Sequence, residues 1–227
     1  MAMTTLWKAA DGIGYIELID TFGSDLTVVN AARVSFAKEV TEMKPADEKL
    51  INYLAAHDHV SPFFHPQVRF RIKMPIFVAR EWYRHQIGFA RNEVSRRYVD
   101  TVPECWIPSP SELRERDPRA KQGSKENAVD SSAGLHESIR EFTQSSVALY
   151  TKLLEEKVAP EIARAVLPQS MYTEFIETGS LAAYSRLAGL RLGKDAQAEI
   201  RAYAEGMSSL LTPRFPVSWA ALQVAHP

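Results

Sequence analysis

The chain has 227 residues, which is enough for one sizeable hydrophobic core, and we expect a single domain over residues 1–227. Its 45% hydrophobic and 24% charged residues are typical of a water-soluble globular protein. The formal net charge of -1 argues against broad, non-specific binding to nucleic acid, which normally needs an excess of basic residues. We therefore predict no nucleic-acid partner.

The sequence carries no signal that would direct the chain out of the cytoplasm. Residues 1–14 lack the apolar core of a signal peptide, and no run approaches the roughly 20 apolar residues that a membrane helix needs. The only cysteine, Cys105, can form no disulfide within the chain, which agrees with a reducing compartment. We predict a cytoplasmic protein without a membrane partner.

The first third of the chain predicts a strand followed by two helices. The strand is predicted over residues 14–20, and Ser24 and Asp25 then offer N-caps for a helix through Val34. Asp47 is predicted to cap the second helix, whose apolar residues repeat at helical spacing until about residue 57.

A second strand and a third helix are predicted next. Apolar and basic residues alternate over 68–74, as in a half-buried strand. Pro75 can begin a helix over 76–85, because proline costs little at the first helical position, and Gly88 ends it. The arginine-rich stretch 80–98 would thus cover a helix end and a loop.

The second half of the chain predicts mainly helices. Residues 108–127 are polar and charged without a hydrophobic period, so we expect a mobile surface excursion that could act as a lid. A long helix is predicted over 131–157, and its apolar face consists of Leu135, Ile139, Phe142, Leu149 and Leu153. The remaining predicted elements are a helix over 160–167, an extended stretch to residue 178, and helices over 180–192 and 195–211.

Residues 80–98 carry the strongest functional signal. Five arginines stand there among hydrogen-bonding and aromatic side chains: Arg80, Arg84, Arg91, Arg96 and Arg97. Arginine presents a planar fork of donors that matches two phosphate oxygens at once. Because the whole chain has almost no net charge, the cluster is local, as expected for a small anionic ligand.

The order of residues within this stretch resembles the diagnostic motif of the flavin-dependent thymidylate synthases. The chain has Arg-His at 84–85, Asn-Glu at 92–93, Ser95, and Arg-Tyr at 97–98. The family has Arg-His-Arg followed by Asn-Glu-x-Ser-x-Arg-Tyr. Other segments that resemble family motifs lie at residues 30–35, 59–65, 75–80, 161–168, 172–173, 191 and 196–197.

The resemblance implies a fold and a reaction. The fold would be α+β, mainly an antiparallel sheet packed with long helices, in a homotetramer whose sites are shared between subunits. The reaction would be reductive methylation of dUMP to dTMP, with methylenetetrahydrofolate as carbon donor, FAD as hydride carrier and NADPH as reductant. Other thymidylate synthases attack uracil with a cysteine, but Cys105 lies outside every matching motif, so we predict that it takes no part.

The resemblance also implies residues for dUMP. Arg191 matches an arginine that contacts the uracil edge and stabilises the negative charge developing on the ring, a role that suits a permanent cation. Ser95 matches a serine beside the substrate, and we expect it to position dUMP by hydrogen bonding rather than to attack it. The full set implied for dUMP is Glu81, Arg84, Glu93, Ser95, Arg96, Arg97, Arg164 and Arg191.

For FAD, the resemblance implies a site without a Rossmann turn, since the chain has no Gly-x-Gly-x-x-Gly. The matching residues are His59, Ser61, Arg84, His85, Gln86, Glu93, Ser180, Leu181, Ala182 and Arg186. The chain departs from the family pattern at five residues. Gln86 stands where the family usually has arginine, Glu81 where it usually has glutamine, and Phe64 where it often has glutamate. Ser180 and Arg186 stand where some members have asparagine, and the interval between Gln86 and Ser95 is one residue longer. We hypothesise that Arg186 compensates the charge lost at Gln86.

Three alternatives stay open at the level of sequence. A nucleotide- or RNA-binding module could combine the arginines with the aromatic residues Trp82, Tyr83, Phe89 and Tyr98. A metal-dependent hydrolase could use His57, His59 and His65, but no further ligand stands at a usual spacing, and we predict no metal. A degenerate family member could retain the fold and dUMP binding without FAD.

Overall fold

The computed structural model describes residues 5–118 and 123–225 and has the predicted α+β fold. One sheet has five strands in the order β1-β2-β3-β7-β4, and a second pairs β5 with β6. The strands are β1 (Leu6–Lys8), β2 (Tyr15–Phe22), β3 (Gln67–Pro75), β4 (Phe89–Glu93), β5 (Arg114–Arg116), β6 (Ser124–Ala128) and β7 (Tyr172–Ser180). Strands β1 and β2 are antiparallel, with Leu6 opposite Glu17.

Helices make up most of the remaining regular structure. They are α1 (Asp25–Arg33), α2 (Pro45–Ala56), α3 (Ile76–Trp82), α4 (Ser132–Glu155), α5 (Pro160–Ala163), α6 (Leu181–Arg191), α7 (Ala198–Leu211) and α8 (Pro216–Ala225). Short 3-10 turns lie at Val34–Phe36, Ser61–Phe64, Pro110–Glu112 and Arg164–Val166. Across residues 5–118 and 123–225, no helix combines the length and apolar character needed to cross a membrane.

The described chain divides into two compact units. The first comprises the described parts of residues 1–72, 81–92 and 175–227, and the second comprises those of 73–80 and 93–174. The prediction of one domain stays a prediction, because a compact unit need not fold on its own.

The core of the first unit follows from side-chain periodicity. In β3, Val68, Phe70 and Ile72 are buried, whereas Arg69 and Arg71 between them are not, as expected for a strand with one covered face. Helix α6 instead buries seven of its residues: Leu181, Ala182, Ala183, Tyr184, Ser185, Leu187 and Ala188. A helix that is apolar on nearly every side belongs in the centre of a core.

Two predicted caps have different roles in the structure. Helix α1 begins after Ser24 as predicted, but Asp25 is buried and accepts hydrogen bonds from the backbone N–H groups of Val217 (3.0 Å) and Ser218 (2.9 Å). It therefore caps α8, which the sequence reading missed. Asp47 does not precede α2 but lies in its first turn, where it caps the helix by accepting from the backbone N–H of Lys44 (2.9 Å) and also pairs with Arg33.

Helix α4 of the second unit buries a face other than its apolar stripe. Its buried residues are Thr143, Ser146 and Tyr150, and the Ser146 hydroxyl donates to Val166 O (2.6 Å). The predicted apolar stripe is largely exposed: Leu135 is 44%, Phe142 66% and Leu149 46% accessible. The helix itself was predicted correctly, but its own unit does not cover the apolar stripe.

Residues 108–127 have more regular structure than predicted. The turn Pro110–Glu112 is followed by β5, and β6 pairs with it, with Arg114 opposite Ala128. Residues 119–122 lie outside the described part of the chain. The strands were missed because they are short and polar on both faces, so they show no hydrophobic alternation. A role as a lid stays a prediction.

The arginine-rich stretch also differs from its predicted structure. Helix α3 ends at Trp82 rather than at residue 85, and β4 lies where a loop was predicted. The indole N–H of Trp82 and the guanidinium of Arg91 both bond to Glu177 of β7. These long-range partners draw the segment into the sheet, which a local pattern does not reveal.

Candidate active site

A cavity of about 480 Å³ lies in the second unit. Its wall includes the end of β4, the start of β7 and the turn Arg164–Val166. The polar residues that line it are Glu93, Ser95, Arg96, Glu161, Arg164, Gln169, Tyr172 and Thr173. Arginines combined with carboxylates and hydroxyls suit a ligand that carries one anionic group and several neutral polar groups.

Backbone hydrogen bonds form the turn that carries Ser95. The N–H groups of Tyr98 and Val99 both donate to Ser95 O, at 3.0 and 3.2 Å. The Ser95 hydroxyl oxygen accepts from Arg97 N at 3.3 Å. The chain's own backbone therefore fixes the position of this hydroxyl at the wall of the cavity.

The charged side chains of the cavity differ in how firmly they are held. Glu93 accepts a hydrogen bond of 2.5 Å from the hydroxyl of Thr173, which is itself buried, so this carboxylate is well anchored. Arg97 lies 3.6 Å from Glu161, but both side chains are more than half exposed. Exposed ion pairs contribute little to stability, so Arg97 can exchange Glu161 for a ligand at small cost.

Arg191, the last residue of α6, contacts three acceptor groups of two residues in the first unit. Its Nε donates to Nε2 of His85 at 3.0 Å, and its Nη1 lies 3.3 Å from Oε1 of Glu81. Its Nη2 donates to the Glu81 backbone carbonyl at 3.4 Å. The guanidinium is mostly buried, with 16% of the side chain exposed, so its orientation is defined by these contacts.

His85 is held in its neutral form. Burial lowers its pKa most, and the positive charges of Arg191, Arg91, Arg186 and Arg84 lower it further, to about 4. At neutral pH the ring can therefore accept the hydrogen bond from Arg191, with its own proton on Nδ1. Arg91 pairs with Glu177 and Arg191 pairs with Glu81, so it is the exposed guanidinium groups of Arg84 and Arg186 that favour an anionic ligand here.

A buried carboxylate that the sequence reading missed lies under the arginine-rich stretch. Glu177 is fully buried and accepts from Trp82 Nε1 (3.1 Å to each oxygen) and from Arg91 Nε. Burial raises the pKa of Glu177, while Arg91 opposes that shift. The Arg91 guanidinium lies 4.7 Å from the ring of Phe89 and 5.4 Å from that of Tyr83. Arg91 is therefore a structural group and not a free anion-binding one.

Comparisons with known proteins identify the family. The profile of the family described as "Thymidylate synthase complementing protein" matches residues 17–217. A flavin-dependent thymidylate synthase of Thermus thermophilus is 39% identical over 210 residues, which cover 92% of this chain and 76% of the relative. The protein belongs to the flavin-dependent thymidylate synthase family. Another such synthase, from Thermotoga neapolitana, is 36% identical over 208 residues, 92% of this chain and 90% of the relative.

Solved structures agree with this assignment. The UMP/dUMP methylase PolB from Streptomyces cacaoi, bound with 5-Br dUMP, superimposes with a TM-score of 0.83 at 31% sequence identity. The match covers 92% of this chain and 94% of that one. The structural likeness confirms the predicted fold class of the family.

In this member of the family, the residues predicted to bind dUMP form two groups. Those in the second unit are Glu93, Ser95, Arg96, Arg97 and Arg164, and all of them except Arg97 line the cavity. Those in the first unit are Glu81, Arg84 and Arg191, of which Glu81 and Arg191 are bonded to each other. Arg96 already donates to the backbone carbonyl of Thr101.

Three segments of the first unit carry most of the residues predicted to bind FAD. The Ser180 N–H donates to Gly88 O (3.3 Å), and Leu181 N donates to Pro66 O (3.0 Å), so the start of α6 lies against the 86–88 loop and the end of the 61–66 segment. Ser180 itself caps α6, because its hydroxyl oxygen accepts from Ala183 N. Of the predicted residues in the first unit, Ser180, Leu181 and Ala182 are buried, His85 is half-buried, and the exposed ones are His59, Ser61, Arg84, Gln86 and Arg186.

The longer loop of this family member depends on Gly88. Its φ of +85° lies in the left-handed region, and a Cβ there would come within 3.0 Å of the Ala183 Cβ. Arg186 donates to Ile87 O at 2.6 Å and lies 5.6 Å from the ring of Phe64. Arg186 thus stands between two of the departures from the family pattern, although compensation of Gln86 stays a hypothesis.

The structure weighs against the RNA-binding alternative. Of the four aromatic side chains considered for stacking, Trp82 is fully buried, and Tyr83 and Phe89 lie against Arg91. Of these four, Tyr98 alone is exposed, at 80%. Within residues 5–118 and 123–225, no three His, Cys, Asp or Glu side chains are grouped as a metal site would require.

We expect Cys105→Ser to keep the rate of dTMP formation within about 2-fold of the wild-type rate. Cys105 is half-buried, and burial raises the pKa of its thiol to about 11, so the nucleophilic thiolate is almost absent at neutral pH. The measurement is kcat with dUMP as substrate, with thermal unfolding as a check on the fold. A folded variant without turnover would contradict the prediction.

Proposed function

We propose that this protein converts dUMP to dTMP by reductive methylation, as a flavin-dependent thymidylate synthase without a cysteine nucleophile. The observation that carries the proposal is the cavity lined by Glu93, Ser95, Arg96 and Arg164 in a chain of this family. A structural relative with 31% identity is a UMP/dUMP methylase bound with 5-Br dUMP, which supports the same substrate. A cytoplasmic location, as predicted from the sequence, is part of the proposal.

The nucleotide would bind to arginines through its phosphate and to a carboxylate and a hydroxyl through its neutral polar groups. Arg164 in the cavity wall would bind the 5′-phosphate together with Arg97, which does not line the cavity but pairs with Glu161 of its wall, since a guanidinium matches phosphate oxygens two at a time. Glu93, anchored by Thr173, would accept a hydrogen bond from a sugar hydroxyl. Ser95 would hold dUMP through its hydroxyl, which the Arg97 N–H already orients. The volume of about 480 Å³ falls in the usual range for small-molecule sites.

Arg191 would provide the electrostatic part of the chemistry. Negative charge develops on the uracil ring when C5 becomes nucleophilic, and a fixed cation at the ring edge stabilises it. Arginine suits this role because its guanidinium stays protonated, and therefore positively charged, at any working pH. Its contacts with Glu81 and His85 fix the group before the substrate arrives.

The exposed hydrogen-bond donors of the first unit are of the kinds that could bind FAD. Arg84 and Arg186 offer guanidinium groups, and Ser61 and Gln86 offer neutral donors, which together suit a pyrophosphate and its riboses. Burial lowers the pKa of His85 most, and the neighbouring arginines, Arg84 and Arg186 among them, lower it further. When bound, FAD would carry the hydride, with methylenetetrahydrofolate as carbon donor and NADPH as reductant.

A direct test is product analysis with purified protein. We expect dTMP to form from dUMP only when FAD, methylenetetrahydrofolate and NADPH are all present, and chromatography of the nucleotides measures it. Leaving out each component in turn gives the controls. Binding of dUMP without any dTMP would indicate the degenerate alternative, and no binding of dUMP would contradict the proposal.

Ser95→Ala should lower kcat/KM for dUMP by about 10-fold, the effect of one lost hydrogen bond of roughly 1.4 kcal/mol. The loss is modest because a positioning hydroxyl contributes binding rather than a covalent step. The measurement is release of tritium from dUMP labelled at C5. A complete loss of turnover in a folded variant would instead indicate that Ser95 takes part in the chemistry.

We also propose a homo-oligomer, a tetramer by resemblance, in which α4 contacts a second copy. Leu135, Phe142 and Leu149 are exposed and stand seven residues apart, so they form one apolar stripe along α4. Phe142→Asp should reduce the molar mass measured by sedimentation, whereas Gln144→Asp, also exposed on α4, should not. An unchanged mass in both variants would exclude this face from the interface.

A further inference from the structure

Arg191 is held by two side chains of one short segment. Beyond the end of α3, Arg84 N donates to Glu81 O (3.3 Å) and His85 N donates to Trp82 O (3.2 Å), which continues the helical turn. Residues four apart on such a turn face the same side. Glu81 and His85 therefore contact the same guanidinium, at Nη1 and Nε of Arg191 respectively.

We propose that His85 is a positioning residue for Arg191: its Nε2 accepts from Arg191 Nε and, with Glu81, sets the plane of the guanidinium. The inference rests on the proposed function, in which Arg191 acts on dUMP. The resemblance implied only a contact between His85 and FAD, so this role is additional to that one.

The hydrogen-bonding capacity of arginine supports the proposal. A guanidinium has five N–H donors and no acceptor, so every partner must accept. Three of the N–H donors of Arg191 are used: one bonds to His85 and two bond to Glu81. In the part of the chain that the structure describes, the other two have no partner, and they lie on Nη1 and Nη2. The guanidinium is thus held at all three nitrogens, and each terminal nitrogen keeps one N–H for a ligand.

The surroundings of His85 keep its ring neutral, so that Nε2 can accept the hydrogen bond from Arg191. An imidazolium has no lone pair and would repel Arg191, so the contact requires the neutral ring. Burial and the four neighbouring arginines make protonation unfavourable, and the pKa of about 4 leaves the ring neutral at any ordinary working pH. At neutral pH, His85 is thus an uncharged acceptor next to arginine side chains.

The test is a double-mutant cycle that measures binding of dUMP rather than turnover. Equilibrium dialysis with labelled dUMP is carried out on the wild type, His85→Ala, Arg191→Ala and the double variant. We expect His85→Ala to weaken dUMP binding about 10-fold in the wild-type background and less than about 2-fold in the Arg191→Ala background. Groups that act as one unit are not additive in such a cycle.

His85→Gln is the matched control, because its amide oxygen can accept where Nε2 does. We expect it to restore most of the dUMP affinity and of kcat, and circular dichroism checks that each variant is folded. Equal weakening by His85→Ala in both backgrounds would overturn the proposal, as would a defect that saturating FAD removes. Failure of the wild type itself to bind dUMP would overturn the proposed function instead.

Discussion

Arg191→Ala is expected to lower the rate of dTMP formation by about 1,000-fold or more, with the fold intact. Removing a pre-positioned group that stabilises transition-state charge typically costs a factor of about 100 to 1,000, and here no other cation is proposed at the uracil ring. Arg191 is the last residue of α6, so its loss should disturb the helix little. Tritium release from dUMP labelled at C5 measures the rate.

Two further variants sharpen this prediction. Arg191→Lys keeps the charge but loses the planar fork that spans His85 and Glu81, so we expect an intermediate rate. Arg140→Ala removes an exposed arginine of α4 that pairs only locally with Glu137, and it should leave the rate unchanged. A wild-type rate in folded Arg191→Ala would refute the catalytic assignment.

Glu177→Leu should lower the free energy of unfolding by about 3–5 kcal/mol, the usual cost of removing one partner of a buried ion pair. Glu177 is fully buried, and Arg91 is only 15% exposed, so the guanidinium would be left without its counter-charge in the core. Trp82 would lose the acceptor of its indole N–H as well. Urea denaturation of the purified variant measures the change.

The matched control replaces both partners. The double variant Arg91→Leu and Glu177→Leu leaves no uncompensated charge, so we expect it to regain a large part of the lost stability. Glu177→Gln can still accept from Trp82 and should be less damaging than Glu177→Leu. A loss below about 1 kcal/mol in Glu177→Leu would mean that the buried pair is not what holds β4 to β7 in the first unit.

Much of the candidate site could be predicted from the sequence because its residues stand in short, ordered motifs. Ser95 and its neighbours are carried by one turn, and the resemblance of their order to the family motif predicted one site for them. Arg91 is the instructive exception. The sequence presents it as one more anion-binding arginine, but it pairs with Glu177, which is 86 residues away. No local pattern connects two such residues.

Helices and strands could be predicted where apolar residues repeat along the sequence at the spacing of that element. Strand β3 and helix α4 have clear apolar repeats, and both were found. Strands β5 and β6 are polar on both faces, and β4 owes its position to the long-range partners of Glu177, so the same reasoning missed them. For α4 the helix was predicted correctly, but a periodic pattern does not reveal what covers its apolar stripe.

The most direct test of the account is the visible absorption spectrum of the purified protein after addition of FAD and then dUMP. We predict flavin bands that stay with the protein through gel filtration and shift when dUMP is added, because both ligands would then occupy one active site. The spectrum of Arg140→Ala should behave in the same way. A colourless protein that takes up no FAD, with or without dUMP, would contradict the assignment as a flavin-dependent synthase.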